Sequence, residues 1–519
     1  MATGAHGPEG ATEAVADTSP TASGDSGRPS SPPRRDLRSI FRAVVWMTGS
    51  GYVDAGLTVL RGLLFARILG PYSYGVWGFL STVQSLSVNS DLGVGQVVSR
   101  DLPRALAAGD ERRAATLATL TRVWTTASCL FVGVALAILW PVLRWPSSAG
   151  WPVLVPLLLF GMSFYVTAQT VERGSMAFRR LALLITLAGA VALVAGVAAS
   201  LTFGITGLAI SQALVYGAAG LIALARRPGT TTRTEFGRGW LDAVGQGWRL
   251  LLPSFALQVF VSVDILVVAW AFTPGSVGIY AVALMGSTMA AGVVASGVST
   301  VAGQHLLKET ANAEAGMPSA MVWGPAAAVA VVLAPACAVA ILLTPTVFAV
   351  LLPNYVGAIA PALVLLAAAY YLHSQFGFST TFIAAGRPTA TVPLYAALVP
   401  LNVALDLLLI RQGFGLLAVA AGSLAVNILF MLMHEALVAF RVSRGPRQYA
   451  QILATLAAGG LPVAAASAVL GYTPGAWGAA VVGVVGWFGL VAIASRWLGS
   501  HLPTPWGGRH IGASGRAKG

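Results

Sequence analysis

Apolar residues in this chain come in runs of twenty or more, separated by short gaps rich in Gly, Pro and polar residues. An α-helix rises about 1.5 Å per residue, so roughly twenty apolar residues span the ~30 Å hydrocarbon core of a bilayer. The pattern predicts fourteen membrane-spanning helices, near 41–67, 73–99, 114–140, 151–171, 181–202, 205–225, 249–272, 277–303, 321–344, 357–383, 389–410, 415–440, 449–471 and 476–497. Chain-breaking residues mark the gaps: Gly70-Pro71, Pro228-Gly229, Thr273-Pro274-Gly275, Gly386-Arg387-Pro388 and Thr473-Pro474-Gly475. The longest polar interruption, 226–248, has six segments before it and six after it, and a final pair follows. The expected fold is therefore an all-α polytopic membrane protein of about fourteen transmembrane helices. It has two pseudo-symmetric six-helix lobes plus two C-terminal helices. The expected boundaries are a disordered tail at 1–38, a first lobe at 39–227, a linker at 228–248 and a second lobe at 249–441. Two extra helices follow at 442–498, then a tail at 499–519. The first tail is rich in Gly, Ala, Ser, Thr and Pro, and no apolar stretch follows its first charges, so it does not read as a signal peptide.

Composition narrows the class. Hydrophobic residues make up 56% of the chain and charged residues only 9%, with a mean hydropathy of +0.77. A soluble globule cannot cover that much apolar side chain with polar surface, and the alternating strands of an outer-membrane barrel would lower the average. The net charge of +13 would raise the question of nucleic acid in a soluble protein. Here the basic residues lie mainly in short loops, where they act as orientation signals facing anionic lipid. With the N-terminus inside, 26 of the 31 Lys and Arg fall on the inner side and three, Arg67, Arg144 and Arg411, on the outer side. This asymmetry predicts a multi-pass protein of the cell membrane with both termini cytoplasmic. Cys129 and Cys337 sit inside apolar runs with no CxxC or Cys/His cluster, so they read as packing residues. No nucleotide-binding Gly-rich loop, HExxH or GxSxG motif occurs in a fitting context, which points away from an enzyme and from a resident cofactor. Energy must then come from an ion gradient, the membrane potential or metabolic removal of product.

Two stretches repeat at a constant offset of 203. Arg61 to Trp77 matches Asp264 to Tyr280, so that Pro71 pairs with Pro274, Ser73 with Ser276, Gly75 with Gly278 and Trp77 with Tyr280. Each stretch is the end of the first helix of a lobe, a tight turn and the start of the second helix. Both hairpins run from inside to outside, so the repeat is parallel, about an axis along the membrane normal.

The repeat also sets Arg61 opposite Asp264. A charge inside an apolar helix is costly and normally faces a bundle interior, so opposite charges at matching positions are expected to meet across a central cavity. Asp54 lies seven residues before Arg61 on the same helical face. Asp91, Asn402, Asp406, Asn427, His434 and Glu435 add polarity to other segments. Arg122, Glu172 and Glu435 read as side chains that reach for the interface. Asp406, five residues before Arg411, is equally well read as half of an interfacial pair. His373 reads as a hydrogen-bonded core residue. Asp54, Arg61 and Asp264 are the functional candidates.

The runs Arg67-Ile-Leu-Gly-Pro-Tyr-Ser-Tyr-Gly-Val-Trp77 and Asp91-Leu-Gly-Val-Gly-Gln-Val-Val-Ser-Arg100, with Leu252-Pro253, Val263-Asp264 and Val277-Gly278-Ile-Tyr280, resemble the hairpin signatures of bacterial polysaccharide flippases. That family belongs to the multidrug/oligosaccharidyl-lipid/polysaccharide exporter superfamily, and the likeness covers about residues 40–440. The resemblance implies an inverted-V bundle with alternating access. Its cargo would be an oligosaccharide linked through pyrophosphate to a polyprenol, turned from the cytoplasmic to the outer leaflet for a capsule, exopolysaccharide or other surface glycan. Such a cargo needs cationic donors, and arginine binds phosphate through its fork of N–H groups. Arg61 is then the mid-depth candidate, Arg67 lies nearer the outer exit, and Arg100 and Arg122 belong at the cytoplasmic mouth. Asp54, Asp91 and Asp264 would supply cavity charge or carry a coupling ion, H+ or Na+. Expected partners are the lipid-linked glycan, membrane lipids, and a glycan polymerase and glycosyltransferases, with no nucleic acid. The competing readings are an ion-coupled multidrug or organic-cation antiporter, and a non-transporting scaffold in a glycan-assembly complex.

Overall fold

The computed structural model describes residues 37–139, 151–225, 239–287, 291–292, 319–378, 381–384 and 387–443, together with Gly460 and Ala466. Residues up to Val44 form a unit of their own, and the body begins at Val45. Helix α1 covers Leu37–Ser87 and is broken once, at Gly70 (φ 71°, ψ 171°). Only glycine takes that conformation without strain, and Pro71 then restarts the helix with its φ already set. The expected break between the first two segments is therefore a single residue.

The second expected segment, 73–99, is not continuous. The helix stops at Ser87, a 3₁₀ turn covers Val88–Asp91, and Leu92 (φ 51°) and Gly93 (φ 81°) take left-handed conformations. A separate helix, α2, then covers Val94–Ala107. The Asp91 carboxylate starts it by accepting the Gly93 and Gly95 N–H groups at 2.9 and 2.8 Å. Val94, Val97, Val98, Leu102 and Ala105 form its buried stripe, with Arg100 and Arg104 exposed on other faces. Arg100 therefore sits on an amphipathic helix and not at the end of a span.

Helix α3 covers Glu111–Leu139, α4 Trp151–Gly174 and α5 Phe178–Ala225. Gly204 (φ 60°, ψ −143°) breaks α5, so the expected segments 181–202 and 205–225 are its two legs. Helix α6 covers Gly239–Ala271 and begins within the expected linker 228–248, of which 228–238 lie outside the described residues. Pro274 opens α7, residues 274–287. Helix α8 is Ser319–Leu351, followed by a 3₁₀ turn Pro353–Ala358, α9 Ile359–Ser374 and a second 3₁₀ turn Gln375–Phe378. Helices α10 Thr381–Ala384, α11 Val392–Arg411 and α12 Gly415–Val438 follow, with a 3₁₀ turn Pro388–Thr391 before α11 and a π-helical turn Ala439–Ser443 after α12. Among the described residues every regular element is helical, and eight helices are long and apolar enough to cross a membrane. The fold is an all-α polytopic membrane bundle. Residues 1–36 of the expected tail 1–38, nearly all of the last helix pair and the tail at 499–519 lie outside the described residues, while the tail's last two positions, Leu37 and Arg38, belong to α1.

The largest apolar cluster draws on α1, α3 to α9 and α12, with Phe65, Val76, Val268, Val277, Tyr280 and Tyr355 all but inaccessible. Phe131, Val194, Phe203 and Trp270, by contrast, are each at least 70% exposed, as lipid-facing side chains can be. Lipid is as apolar as leucine, so close backbone packing must hold such helices together. The repeated hairpins show how. A side chain on Gly75 would strike the Pro274 carbonyl and the Gly278 backbone nitrogen, and one on Gly278 would strike the Pro71 carbonyl and the Gly75 nitrogen. The residues paired by the 203 offset thus contact each other reciprocally, as an isologous interface requires. The Tyr355 hydroxyl adds a 2.9 Å bond to the Ala66 carbonyl.

Adding a side chain here forces the backbones apart at a cost of about 1–3 kcal/mol, which shifts an open-closed balance by roughly 10- to 100-fold. In a Gly75→Val background, a cysteine replacing the fully buried Val277 should therefore react at least about tenfold faster with a membrane-impermeant maleimide. Unchanged labelling would mean that the seam does not open.

Candidate functional site

Two polar clusters lie within the apolar helices at the positions that the repeat equates. Arg61, half-buried on α1, donates through Nη1 to the Tyr216 hydroxyl at 2.5 Å. Tyr216 lies on the second leg of α5 and packs its ring 4.8 Å from that of Tyr165 on α4. The guanidinium charge acts on Asp54, Tyr74 and Tyr165. Asp54 is half-buried beside Gly189, and it forms no ion pair with Arg61. Among the described residues the ion pairs are Arg100–Asp101 and Arg104–Asp101.

Asp264 is 6% exposed on α6. Its Oδ1 accepts from Asn402 Nδ2 on α11 at 2.6 Å, and its Oδ2 accepts from the Tyr280 hydroxyl at 3.2 Å and from the Ser423 hydroxyl on α12. Asp406, one turn beyond Asn402, is fully buried and near enough for the two carboxyl charges to act on each other. Gly422 leaves the room that the Asp406 carboxyl fills. Both Asp406 oxygens and Asn402 Oδ1 have no hydrogen-bond partner. Asp264, Asn402, Ser423 and Asn427 line a cavity of about 30 Å³, space for one water-sized species. Unpartnered oxygens on Asp406 and Asn402 beside a buried, hydrogen-bonded carboxylate are a setting for a cation, and oxygen donors suit a hard one. Among the described residues no group of three or more His, Cys, Asp and Glu side chains gathers.

The expected meeting of Arg61 and Asp264 does not occur. Arg61 is held by the Tyr216 hydroxyl on α5 and Asp264 by the Ser423 hydroxyl on α12. A buried charge takes the nearest polar partner, and the neighbouring helix supplies one. Asp406 and Arg411 likewise do not pair, because five residues of helix place them on different faces. Glu435 does not reach the interface; it is fully buried on a hydrogen bond from Gln375. Glu172, at 4% exposure, is buried as well.

The remaining candidates are dispersed. Arg67 is exposed just before Gly70. Arg100 bonds Asp101 and the Gln246 side chain, the latter at 2.9 Å, and its hydrogen bond holds the Asp101 carboxyl below the usual carboxylate range. Gln96 donates to the Ser254 hydroxyl at 3.2 Å, and Gly93 lies against Gly247. The Arg100 region is thus a seam between α2 and α6. Arg122 is half-buried on α3, with no partner for its Nε. Asp91 caps α2 and is not a free cavity charge. Sequence reasoning missed Tyr165, Tyr216 and Ser423; hydroxyls in otherwise apolar helices are the signal that marks them.

The chain matches the model of a protein family described as polysaccharide biosynthesis protein over residues 64–355, more than half its length. The chain belongs to that family. Among curated proteins none matches it. This member of the family is similar in structure to a lipid II flippase, MurJ, in an inward closed conformation. Identity there is 14% and the TM-score 0.63, over 88% of this chain and 99% of the other. It is similar also to an inward-facing multidrug resistance MATE transporter of the MOP superfamily (16% identity, TM-score 0.54, 80% and 96% covered). A eukaryotic MATE transporter, AtDTX14, matches at 12% identity and TM-score 0.56, with 82% and 99% covered. This member of the family therefore has the fold of the exporter superfamily that the sequence signatures resemble.

Proposed function

We propose that this protein flips a polyprenyl-pyrophosphate-linked oligosaccharide from the cytoplasmic to the outer leaflet by alternating access. It would serve synthesis of a capsule, exopolysaccharide or other surface glycan, as a transporter and not an enzyme, with both termini cytoplasmic. Membrane lipids surround it, and a glycan polymerase and glycosyltransferases are its expected neighbours. Membership of a polysaccharide biosynthesis family and the likeness to a lipid II flippase support the cargo class. The observation that carries the reading is Arg61: a guanidinium inside an apolar bundle, held by a tyrosine hydroxyl and not by a carboxylate ion pair. Its other N–H groups suit a bidentate phosphate contact. The Gly75–Gly278 and Gly93–Gly247 contacts are the proposed outer and inner seams of the first and second halves.

The Asp264–Asp406 cluster is the proposed coupling site. A single proton would satisfy one oxygen of the set, whereas a sodium ion would satisfy Asp406, Asn402 and Asp264 oxygens together, so sodium fits better. The acid pair also gives the antiporter reading its one specific support, as a site for a cationic cargo.

Binding separates these readings. The purified full chain should bind a polyprenyl-pyrophosphate disaccharide at least about tenfold more tightly than the same glycan on a monophosphate, the difference of roughly one charge-assisted hydrogen bond. Equal affinity for both would remove the pyrophosphate site. Tighter binding of an organic cation than of either lipid would favour the antiporter.

A further inference from the structure

A second buried polar chain shares no residue with the Asp264 cluster and has no part in the proposed flipping cycle. It joins the end of α12 to the turn after α9. Gln375 is 2% exposed, His434 3% and Glu435 0%. His434 Nδ1 lies 3.0 Å from Gln375 Oε1. An amide oxygen only accepts, so Nδ1 carries the hydrogen. The other end of the amide, Gln375 Nε2, donates to Glu435 Oε1 at 3.0 Å and to the Ser374 hydroxyl at 3.2 Å. Gln375 therefore presents its negative end to the imidazole and its positive end to the carboxyl group.

The surroundings are apolar. Phe378, Phe382 and Phe430 place their rings 6.1, 5.5 and 5.2 Å from the His434 ring. Glu435 Oε2 is buried without a hydrogen-bond partner. Of the titratable groups on the packed elements, Tyr370 of α9 lies near enough to Glu435 for the two to interact electrostatically, and Cys337 of α8 stands near Tyr370. His373 of α9 is turned to the Ala369 carbonyl and the Phe376 ring. No Lys or Arg forms an ion pair with Glu435 among the described residues.

We propose that His434, Gln375 and Glu435 form a proton-binding site that holds one exchangeable proton. On Glu435 Oε2 the proton leaves the imidazole neutral. On His434 Nε2 it leaves a carboxylate and an imidazolium bridged by the Gln375 amide. Both forms have zero net charge, which an apolar membrane interior tolerates; loss of the proton leaves one unbalanced negative charge, which it does not. The proton is therefore exchanged when this end of α12 meets water and retained when it does not. That makes the chain a second ion site, distinct from the Asp264 cluster and independent of what the cargo is.

Infrared difference spectroscopy of the full chain in liposomes, titrated from acid to alkaline pH, tests this. The carbonyl stretch of a protonated carboxylic acid should appear and titrate in the wild type. It should be lost in Glu435→Gln and retained in Asp264→Asn and Asp406→Asn. His434→Phe should keep it and strengthen it, because the carboxyl group is then the sole holder of the proton. A full-sized band in Glu435→Gln, or a wild type without a titrating band, overturns the proposal. Should Glu435→Gln fail to fold, as judged by its melting curve, His434→Phe decides alone, and an unchanged band there overturns it.

Discussion

Arg61→Ala is expected to slow flipping of a polyprenyl-pyrophosphate glycolipid by about 10- to 100-fold, the loss of a charge-assisted hydrogen-bonding partner worth ~1.5–3 kcal/mol. The effect is large because the guanidinium is half-buried among apolar helices, where its hydrogen bond is to the Tyr216 hydroxyl. A phosphate oxygen is a stronger acceptor than that hydroxyl and brings the opposite charge. Arg61→Lys should fall between wild type and Ala, since lysine keeps the charge and loses the planar fork. Tyr216→Phe should cost less than Arg61→Ala, because it removes the hydroxyl that holds the guanidinium and leaves the cation. The measurement is the initial rate in proteoliposomes at equal protein content. Equal rates for Arg61→Ala and wild type would place the anion elsewhere, with half-buried Arg122 the next candidate.

Asp406→Asn should abolish the dependence of transport on sodium. In the wild type, rates should rise with sodium and saturate. In Asp406→Asn they should be slow and flat, with sodium affinity lower by at least about 100-fold, because removing one partner from a buried charged set costs roughly 3–5 kcal/mol. Asp264→Asn should act in the same direction, but it also breaks the hydrogen bonds from Asn402, Tyr280 and Ser423 and should lower stability more. Comparing the two separates ion binding from folding. If Asp406→Asn kept its sodium response, the cluster would be structural. A response to pH alone, equal in sodium and potassium, would make its ion a proton.

Much of this architecture was legible in the sequence because it rests on local rules. Runs of apolar residues mark the spans, and Gly70-Pro71 and Pro274 mark the hairpin turns as a left-handed glycine and helix-starting prolines. The 203-residue repeat was equally readable, but the contact expected from it, Arg61 with Asp264, does not form; the equivalent positions that meet are Gly75 and Gly278, where no polar side chain draws attention. Hydropathy did not show that the second span ends at Ser87, since Val94, Val97 and Val98 continue an apolar run on what is a separate amphipathic helix. The turn is set by Asp91 and the conformations of Leu92 and Gly93, which a window average ignores. The site residues were harder for a related reason. Hydropathy reports how apolar a helix is, but not which neighbour a polar side chain will find. Arg61 was visible as a charge, while its partner Tyr216 lies 155 residues away and Asp264 finds Ser423 159 residues away. Glu435 looked like an interfacial side chain until its bond to Gln375, 60 residues distant, placed it in the interior.

The central claim is that the cargo is a lipid-linked glycan. Wild-type protein in liposomes, carrying a fluorescent polyprenyl-pyrophosphate oligosaccharide in one leaflet, tests it most directly. The label's escape from a membrane-impermeant quencher is followed with time, and uptake of a fluorescent organic cation is followed in parallel. The account predicts protein-dependent movement of the glycolipid and none of the cation. Ion-driven uptake of the cation, with the glycolipid moving no faster than in empty liposomes, would contradict it.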